Sequence, residues 1–271
     1  VANDPKRHLG VASIPLLFDV EQAVEAVRWC HENGLKGVML PTLWGEHAAY
    51  HDIKYDPFWE ACQDLGIVVH FHSGPAPHNE YFGPAFPNED RSAELPGAMG
   101  AYVSEVMFWL YRPLTFMLWG GVFERFPRLK AMVVEGGTMF MVPSWLMLLD
   151  HNYTDIQFSA KLGDFRSHLS MAPSEYFARN CGIGASCVPR RDLDLRDQIG
   201  MKQIMWGSDF PHPEGTWPNT AQYYQDTFKG FDIDAGRQIL GGNAIEFYGL
   251  DRQYLDGLAA KIGPSSSIFN S

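Results

Sequence analysis

Short apolar runs alternate along this chain with segments in which apolar residues recur at helical spacing. After Asp19, for example, Val20, Ala23 and Val27 fall on one helical face, and Gly34 follows the segment. The apolar runs are short, bounded by turn residues and followed by helical patterns, which is typical of buried strands. These runs are LGVASIP (9–15), GVMLP (37–41), IVVHFHSG (67–74), LKAMVVEGG (129–137), CGIGAS (181–186) and QIMWGSD (203–209).

The segments between the runs predict helices. The first is expected from Asp19 to about Asn33, and Asp56 as a cap followed by Pro57 predicts the start of a second that ends near residue 66. Further helices are expected at 103–110, 113–126, 138–150, 174–180, 192–199, 216–228, 234–240 and 243–249. Polar connections are expected at 75–96 and 154–172, and the tail at 263–271 is predicted to be extended.

Strands that are apolar on both faces and separated by helices imply a parallel sheet, either an open doubly wound sheet or a (β/α)8 TIM barrel. The sequence has no G-x-G-x-x-G or Walker loop, which weakens the nucleotide-binding open sheet. Polar residues follow several different strands, as in a barrel, so the barrel is favoured.

Six of the eight β/α units of such a barrel are visible, and the sequence begins with Val1 rather than Met. We therefore expect an α/β barrel of which the first two units are missing. One barrel domain is expected over 1–250, with a C-terminal extension over 251–271.

Charge and composition restrict the classes of binding partner and the compartment that we expect. The 271 residues carry a formal net charge of −11, so neither nucleic acid nor a membrane surface is an expected partner. No secretory signal is present, and the four cysteines form no C-x-x-C pair, which is typical of free thiols in a reducing, cytoplasmic compartment. The apolar stretch VMFWLYRPLTFMLW (106–119) favours a homodimer, although core packing also explains it.

Two histidines stand at the end of the third apolar run. His70 and His72 are two residues apart, so they lie on the same face of a strand and can approach one metal ion. The alternative is that one lines the barrel and the other bonds a loop. His72 is the stronger candidate because it lies nearer the strand end, and His70 is a candidate for substrate binding or a second ligand.

Two carboxylates also follow predicted strands. Asp209, in MWGSDFPHPEG (205–215), is a candidate metal ligand or a base for bound water, or else a cap of its proline-rich turn. Glu135 closes MVVEGG, where the two following glycines allow a ligand to approach the backbone. The alternative for Glu135 is a structural carboxylate paired with an arginine.

Four further residues are candidates for substrate binding. His212 either faces the site or packs in its turn, and His78 lies in the long loop where it can contact substrate. Arg112 is a candidate cation for a substrate carboxylate, with a subunit contact or a structural ion pair as alternatives, and Trp44 is a candidate pocket wall. The other pocket candidates, by position alone, are Phe82, Trp109 and Trp217.

Four stretches together resemble the amidohydrolase-related family of metal-dependent TIM-barrel hydrolases. The resemblance spans roughly 5–250 and falls in the branch that includes aminocarboxymuconate semialdehyde decarboxylase and related aromatic-acid decarboxylases. The stretches are YDPFWEACQDLGIVVHFHSG (55–74), GGVFERFPRLKAMVVEGG (120–137), IMWGSDFPHPEG (204–215) and GGNAIEFYGL (241–250).

The resemblance implies a ligand pattern of H-x-H on strand 1, His at the end of strand 5, often His at the end of strand 6, and Asp at the end of strand 8. With the visible strands numbered 3 to 8, His72, Glu135 and Asp209 fall at the ends of strands 5, 6 and 8. Two departures follow: the strand-1 H-x-H is absent from this sequence, and Glu135 stands where the family often has His.

The same resemblance implies an enzyme with one divalent ion, with Zn²⁺ favoured and Mn²⁺ also suited to a His/carboxylate site. His72 and Asp209 would be ligands, Asp209 would also shuttle a proton, and Glu135 would be a ligand, acid or base. The substrate would be a small aromatic or unsaturated carboxylate that is decarboxylated or hydrolysed. The competing hypothesis is a metal-poor, non-catalytic barrel that serves as a binding or structural subunit.

Overall fold

Six parallel strands form one sheet in the computed structural model, which describes residues 4–72, 97–136, 141–155 and 160–270. Each strand corresponds to one of the predicted apolar runs. The strands are β1 (Val11–Ser13), β2 (Gly37–Leu40), β3 (Val68–Phe71), β4 (Ala131–Val134), β5 (Cys181–Ser186) and β6 (Ile204–Gly207).

The strands lie in the sheet in the order in which they occur in the chain, and every neighbouring pair is parallel. A doubly wound sheet reverses its strand order at a switch point, whereas the wall of a barrel does not. The order therefore favours the predicted barrel over the open sheet. Within the described residues, β1 and β6 are the two edges and do not pair with each other.

Helices connect the strands, and all parallel connections pass through at least one of them. The helices are α1 (Val20–Glu32), α2 (Asp56–Leu65), α3 (Ala98–Trp119), α4 (Val122–Arg125), α5 (Met141–Thr154), α6 (Pro173–Asn180), α7 (Arg190–Leu193), α8 (Arg196–Ile199), α9 (Thr220–Phe228), α10 (Ile233–Arg237), α11 (Asn243–Tyr248) and α12 (Arg252–Ile262). A π-helical turn, Gln238–Gly242, joins α10 to α11. None of the helices described is both long and apolar enough to cross a lipid bilayer.

The first two helices test the predicted start signals. At α1 the prediction is confirmed, because the Asp19 carboxylate accepts a hydrogen bond from the Gln22 backbone N–H. At α2 the predicted cap is wrong, because Asp56 is the first residue of the helix and its carboxylate forms a bidentate pair with Arg125. Pro57 still occupies the first turn, where a missing N–H costs nothing.

One continuous helix, α3, replaces the two predicted at 103–110 and 113–126. Pro113 lies inside it and removes one backbone hydrogen bond, at a cost of about 3 kcal/mol. Leu110 and Leu114, on either side of the proline, are both fully buried in the core. Packing of this apolar face therefore outweighs the local cost of the proline.

The C-terminal tail is not extended as predicted. Ser266–Phe269 forms a 3₁₀ turn, and Phe269 is buried with its ring centroid 5.9 Å from that of Phe228. The Phe269 carbonyl accepts a hydrogen bond from the Gly230 N–H at 3.0 Å. The tail is mainly polar, but its two apolar residues Ile268 and Phe269 are buried and anchor the segment.

The two faces of the sheet have different coverings. On the outer face, residues such as Val69, Val133 and Ile183 pack beneath the helices in the main core. On the inner face, Val68, Met132 and Met205 form a second, smaller apolar cluster, against which Phe247 and Tyr248 of α11 are packed. Alternation of side chains along each strand produces this division.

His70 lies on the inner face and belongs to the core rather than to the candidate site. It is 3% exposed, and its Nδ1 lies 3.2 Å from the Val38 carbonyl oxygen and 3.0 Å from that of Val68. Because carbonyls only accept, Nδ1 carries the proton, and Nε2 accepts from the Tyr248 hydroxyl at 2.7 Å. Gly37 faces the ring, where any Cβ would lie 2.2 Å from it. Both ring nitrogens are thus engaged by the protein, which corrects the predicted substrate-binding role of His70.

Burial lowers the pKa of His70 from 6.5 to about 4, and this predicts a pH-dependent stability. Between pH 6.5 and 4 the unfolded chain takes up a proton that the folded chain does not, so stability is lost as pH falls. Gln does not titrate. Over this pH range the free energy of unfolding of His70→Gln should therefore fall by up to about 3 kcal/mol less than that of the wild type. Urea titrations across this pH range measure it.

His31→Gln is the matched control, since His31 is exposed and should leave the wild-type pH dependence unchanged. An identical pH dependence in His70→Gln and the wild type would contradict the assignment of a neutral, buried His70.

Candidate functional site

Four polar side chains come together at the carboxyl ends of the strands. His72 directly follows β3, Glu135 directly follows β4, and Asp209 lies two residues beyond β6. Because the strands are parallel, their carboxyl ends share one edge of the sheet, where barrels place their sites. With His212 from the turn after β6, these residues are called the strand-end group below.

His72 and Glu135 are in direct contact. The His72 Nε2 lies 3.0 Å from a Glu135 carboxylate oxygen, and both side chains are about one-third exposed. Glu135 links a histidine to a second carboxylate.

That second carboxylate is Asp209, whose carboxyl group is hydrogen-bonded to that of Glu135. Burial raises the pKa of Asp209, and the hydrogen bond and negative charge of Glu135 raise it further, while His212 and His72 act in the opposite direction. Two ionised carboxylates in contact repel each other, so a proton or a cation beside them stabilises the pair.

The backbone at the strand ends is unusual. Glu135, Cys187 and Asp209 each have a left-handed conformation, with φ of 51°, 51° and 57°, and none of them is glycine. They follow β4, β5 and β6, so three neighbouring strands turn sharply at the same edge. Such conformations are costly for residues with a Cβ and are concentrated at functional sites.

The turn after β6 fixes His212 beside Asp209. The His212 N–H donates to the Asp209 carbonyl at 2.8 Å, and the Thr216 N–H closes the turn on the Ser208 carbonyl at 2.9 Å. The His212 Nδ1 lies 3.4 Å from an Asp209 carboxylate oxygen and accepts a hydrogen bond from the Glu214 N–H at 3.2 Å. Of the two alternatives for His212, facing the site or packing in the turn, the structure combines both.

Cys187 also belongs to this edge of the sheet, and the sequence did not single it out. Its N–H donates to the Gly207 carbonyl at 3.2 Å, which places it beside the start of the Asp209 turn. Burial raises the pKa of its thiol, as do the charges of Asp209, Glu214 and Glu135. All four cysteines are free thiols, and Cys187 is the one that is partly exposed.

Tyr111 supports the Glu135 turn from the outer face and was also missed. Its hydroxyl lies against Gly136, where a Cβ would be 3.0 Å from it, and burial raises its pKa. The hydroxyl has no hydrogen-bond partner among the residues that the structure describes. The Gly136 N–H donates to the Gly184 carbonyl at 3.3 Å, so this hydrogen bond and the packing of Tyr111 together hold the backbone behind Glu135.

Arg112 and Trp44, each predicted as a substrate contact, lie together in a second group. The Arg112 guanidinium lies over the rings of Trp44, Trp109 and Phe116, at 4.8, 5.2 and 5.6 Å from their centroids. Arg112 forms no ion pair with any acidic residue in the described part of the chain, so the structural ion pair considered above is not present there. We call these four residues the arginine–aromatic group.

Three other candidates lie elsewhere. His78 and Phe82 fall in residues 73–96, outside the described residues. Trp217 is 68% exposed, with its ring against that of Phe210 at 5.9 Å, in the turn that carries Asp209.

The donor types of the strand-end group suit a divalent ion. An imidazole and two carboxylates are ligands that Zn²⁺ and Mn²⁺ accept, and a cation beside Glu135 and Asp209 would remove the need for a shared proton. His72 and Asp209 would hold it. In the ranges described, however, no three His, Cys, Asp or Glu side chains converge closely enough to hold an ion by themselves.

Comparison with known proteins agrees with this arrangement. Residues 1–250 match the amidohydrolase family. The 2-amino-3-carboxymuconate-6-semialdehyde decarboxylase of Dictyostelium discoideum is 27% identical over 256 residues, which cover 93% of this chain and 64% of that protein. The chain thus spans less than two-thirds of the length of this curated relative.

Solved structures show the same fold. The 5-carboxyvanillate decarboxylase of Sphingomonas paucimobilis is 22% identical with a TM-score of 0.70, over 93% of this chain and 69% of that one. A dihydroxybenzoic acid decarboxylase from Polaromonas sp. JS666, solved with bound manganese and the inhibitor 2-nitroresorcinol, is 23% identical with a TM-score of 0.69, over 93% and 72%.

The six-stranded sheet is therefore the wall of a TIM-barrel fold, as predicted. Taken with the family match over residues 1–250, the sequence and the fold agree: this chain belongs to the amidohydrolase family.

Proposed function

We propose that this chain carries the active site of a divalent-metal-dependent decarboxylase that acts on a small aromatic or unsaturated carboxylate. The observation that carries the proposal is the direct contact of His72, Glu135 and Asp209 at the ends of β3, β4 and β6. The names of the relatives favour decarboxylation over hydrolysis, since both the curated relative and the solved structures described above are decarboxylases.

Decarboxylation replaces a carboxylate by a hydrogen: the C–C bond breaks, CO₂ leaves with neither electron of that bond, and the carbon takes up one proton. The enzyme therefore has to hold a proton close to that carbon. Glu135 and Asp209 are the carboxyl groups at the site that can do so, and burial and the neighbouring Glu135 carboxylate raise the pKa of Asp209. We assign proton transfer to this pair, with the backbone hydrogen bond from the His212 N–H to the Asp209 carbonyl fixing the turn that carries Asp209.

The bound ion would be held by His72 and Asp209, as the sequence predicts, and Zn²⁺ and Mn²⁺ both suit these donors. When bound, a divalent ion supplies a Lewis acid that attracts substrate oxygens. His72 is oriented for ligation by its contact with Glu135.

The arginine–aromatic group would bind the substrate. The Arg112 guanidinium is free of acidic partners in the described residues and is held flat by three aromatic rings. In a chain with a net charge of −11, a fixed local cation is needed to hold a carboxylate. Trp44, beside Arg112, offers an apolar face for a planar ring.

Metal content tests the ligand assignment. The intact protein should hold about one divalent ion per chain, and both Asp209→Ala and His72→Ala should reduce this to a small fraction, because each removes a ligand. Elemental analysis after dialysis measures it and identifies the metal. Asp226→Ala, which removes an exposed carboxylate on α9, should retain the ion. Full metal occupancy in both ligand variants would overturn the assignment. Absence of the ion from the wild-type protein would favour the non-catalytic barrel.

Glu135→Gln tests proton transfer separately from ligation. The substitution keeps the size and hydrogen-bonding capacity of the side chain but cannot share a proton as an acid. We expect kcat for CO₂ release from hydroxybenzoates to fall by about 10²- to 10⁴-fold while the metal content is retained. An unchanged kcat would contradict the role of the Glu135–Asp209 pair.

Arg112→Gln tests substrate binding. Loss of a charge-assisted hydrogen bond to the substrate carboxylate should raise KM by about 10- to 100-fold, with a smaller effect on kcat. Steady-state kinetics on the same hydroxybenzoates measure both constants. Arg128→Gln is the control, because Arg128 is exposed and paired with Asp64. Equal KM values for the two variants would remove Arg112 from the site.

A further inference from the structure

A cavity of about 670 Å³ lies among the helices on the outer side of the sheet, apart from the strand-end group. It is called the outer cavity below. Its lining comes from the loop before α2, the end of α3, α5 and the connection before α6. The residues that shape it are His51, Phe116, Trp119, Asn152, Phe165 and His168. It shares no lining residue with the strand-end group, and its volume is typical of small-molecule sites.

Aromatic rings form its walls. The Trp119 and Phe165 rings meet edge to face at 5.5 Å, and the His51 ring lies 5.2 Å from that of Phe116. This arrangement leaves planar surfaces that suit an aromatic ring. Leu162, at the rim, is 67% exposed and leaves the cavity open to solvent.

The glycine at position 120 allows this cavity to form. A Cβ on Gly120 would lie 2.1 Å from the Cβ of His51, so a larger residue would push the His51 loop away from the end of α3. On the opposite side, the His168 Nε2 lies 2.8 Å from the Trp119 carbonyl and therefore donates its proton to it. The two histidines are thus held against the helix end from two directions.

The polar groups of the lining are uncharged or weakly basic. Asn152 supplies an amide, and the Nδ1 of His168 is left as an acceptor because its Nε2 carries the proton. No lysine or arginine lines the cavity among the described residues. Behind the lining, the Arg125 guanidinium donates to the Gly120 carbonyl at 2.8 Å and is paired with the Asp56 carboxylate, while Arg112 stands over the Phe116 ring.

We propose that the outer cavity is a binding site for a neutral, planar aromatic molecule that carries a hydroxyl group. Its rings supply stacking surfaces, Asn152 and His168 supply partners for the hydroxyl, and the lack of a lining cation in the described residues disfavours a carboxylate. Such a ligand has the chemistry of a decarboxylated aromatic acid rather than of the acid itself. The binding does not depend on the proposed function of the strand-end group.

The test uses two fluorinated probes that differ by one group, 4-fluorophenol and 4-fluorobenzoate, followed by ¹⁹F NMR titration of the intact chain. We expect 4-fluorophenol to bind saturably, with a Kd on the order of 1 mM or tighter. We expect 4-fluorobenzoate to bind at least about fivefold more weakly at the same site, because its charge finds no partner there.

Two variants locate the binding. Phe165→Ala removes one wall and Asn152→Leu removes the amide, and each should weaken 4-fluorophenol binding at least about fivefold. Phe108→Ala is the matched control, since Phe108 is 64% exposed on α3 and outside the lining. Circular dichroism melting identifies a variant that fails to fold, in which case the other variant decides the outcome.

Four results would overturn the proposal. Absence of saturable binding would remove the site, as would binding that neither variant weakens. Tighter binding of 4-fluorobenzoate, lost in Arg112→Gln, would make the cavity part of the substrate site. A dimer in sedimentation velocity that Phe165→Ala dissociates, together with no probe binding, would make it a subunit contact.

Discussion

The carboxyl groups of Glu135 and Asp209 are held against each other, and this contact determines what the site can do. Two ionised carboxylates repel, so the pair is stable only with a proton shared between them or with a cation beside them. The raised pKa of Asp209 describes the first state. A metal held by His72 and Asp209 describes the second.

The scaffold explains why this contact persists. A parallel sheet with strands in chain order brings successive strand ends to one edge, and left-handed backbone at Glu135 and Asp209 turns both carboxyl groups toward the same space. Behind Glu135, Tyr111 packs against Gly136 and leaves no room for the backbone to withdraw. On the inner face of the sheet, below this edge, Val68, Met132 and Met205 pack together. Both ring nitrogens of the neighbouring His70 are hydrogen-bonded.

The sequence predicted the strands and the positions of His72, Glu135 and Asp209, because each polar residue directly follows an apolar run and such ends meet in a parallel sheet. It ranked His72 above His70 because His72 lies nearer the strand end, but it kept His70 as a candidate, since alternation places both on one face and only depth separates a core residue from a site residue. Tyr111 and Cys187 were missed for a related reason. Their roles come from contacts between segments far apart in the chain, which no local pattern records.

Local rules also failed where packing outweighed them. Pro113 was expected to begin a second helix, but burial of the leucines on both sides keeps α3 continuous. Asp56 was expected to cap α2, but its pairing with Arg125 placed it within the helix. In both cases the structure was determined by contacts with residues far away in the sequence, which the adjacent residues do not indicate.

A crystal structure of the metal-loaded protein, with anomalous scattering measured at the absorption edge of the bound metal, tests the central claim most directly. The account predicts one anomalous peak within bonding distance of the His72 Nδ1, because Nε2 contacts Glu135, and of an Asp209 carboxylate oxygen, at about 2.0–2.2 Å for Zn²⁺. It also predicts that the direct hydrogen bond between Glu135 and Asp209 is lost when the ion is bound. A peak elsewhere, or no peak with that hydrogen bond intact, would contradict it.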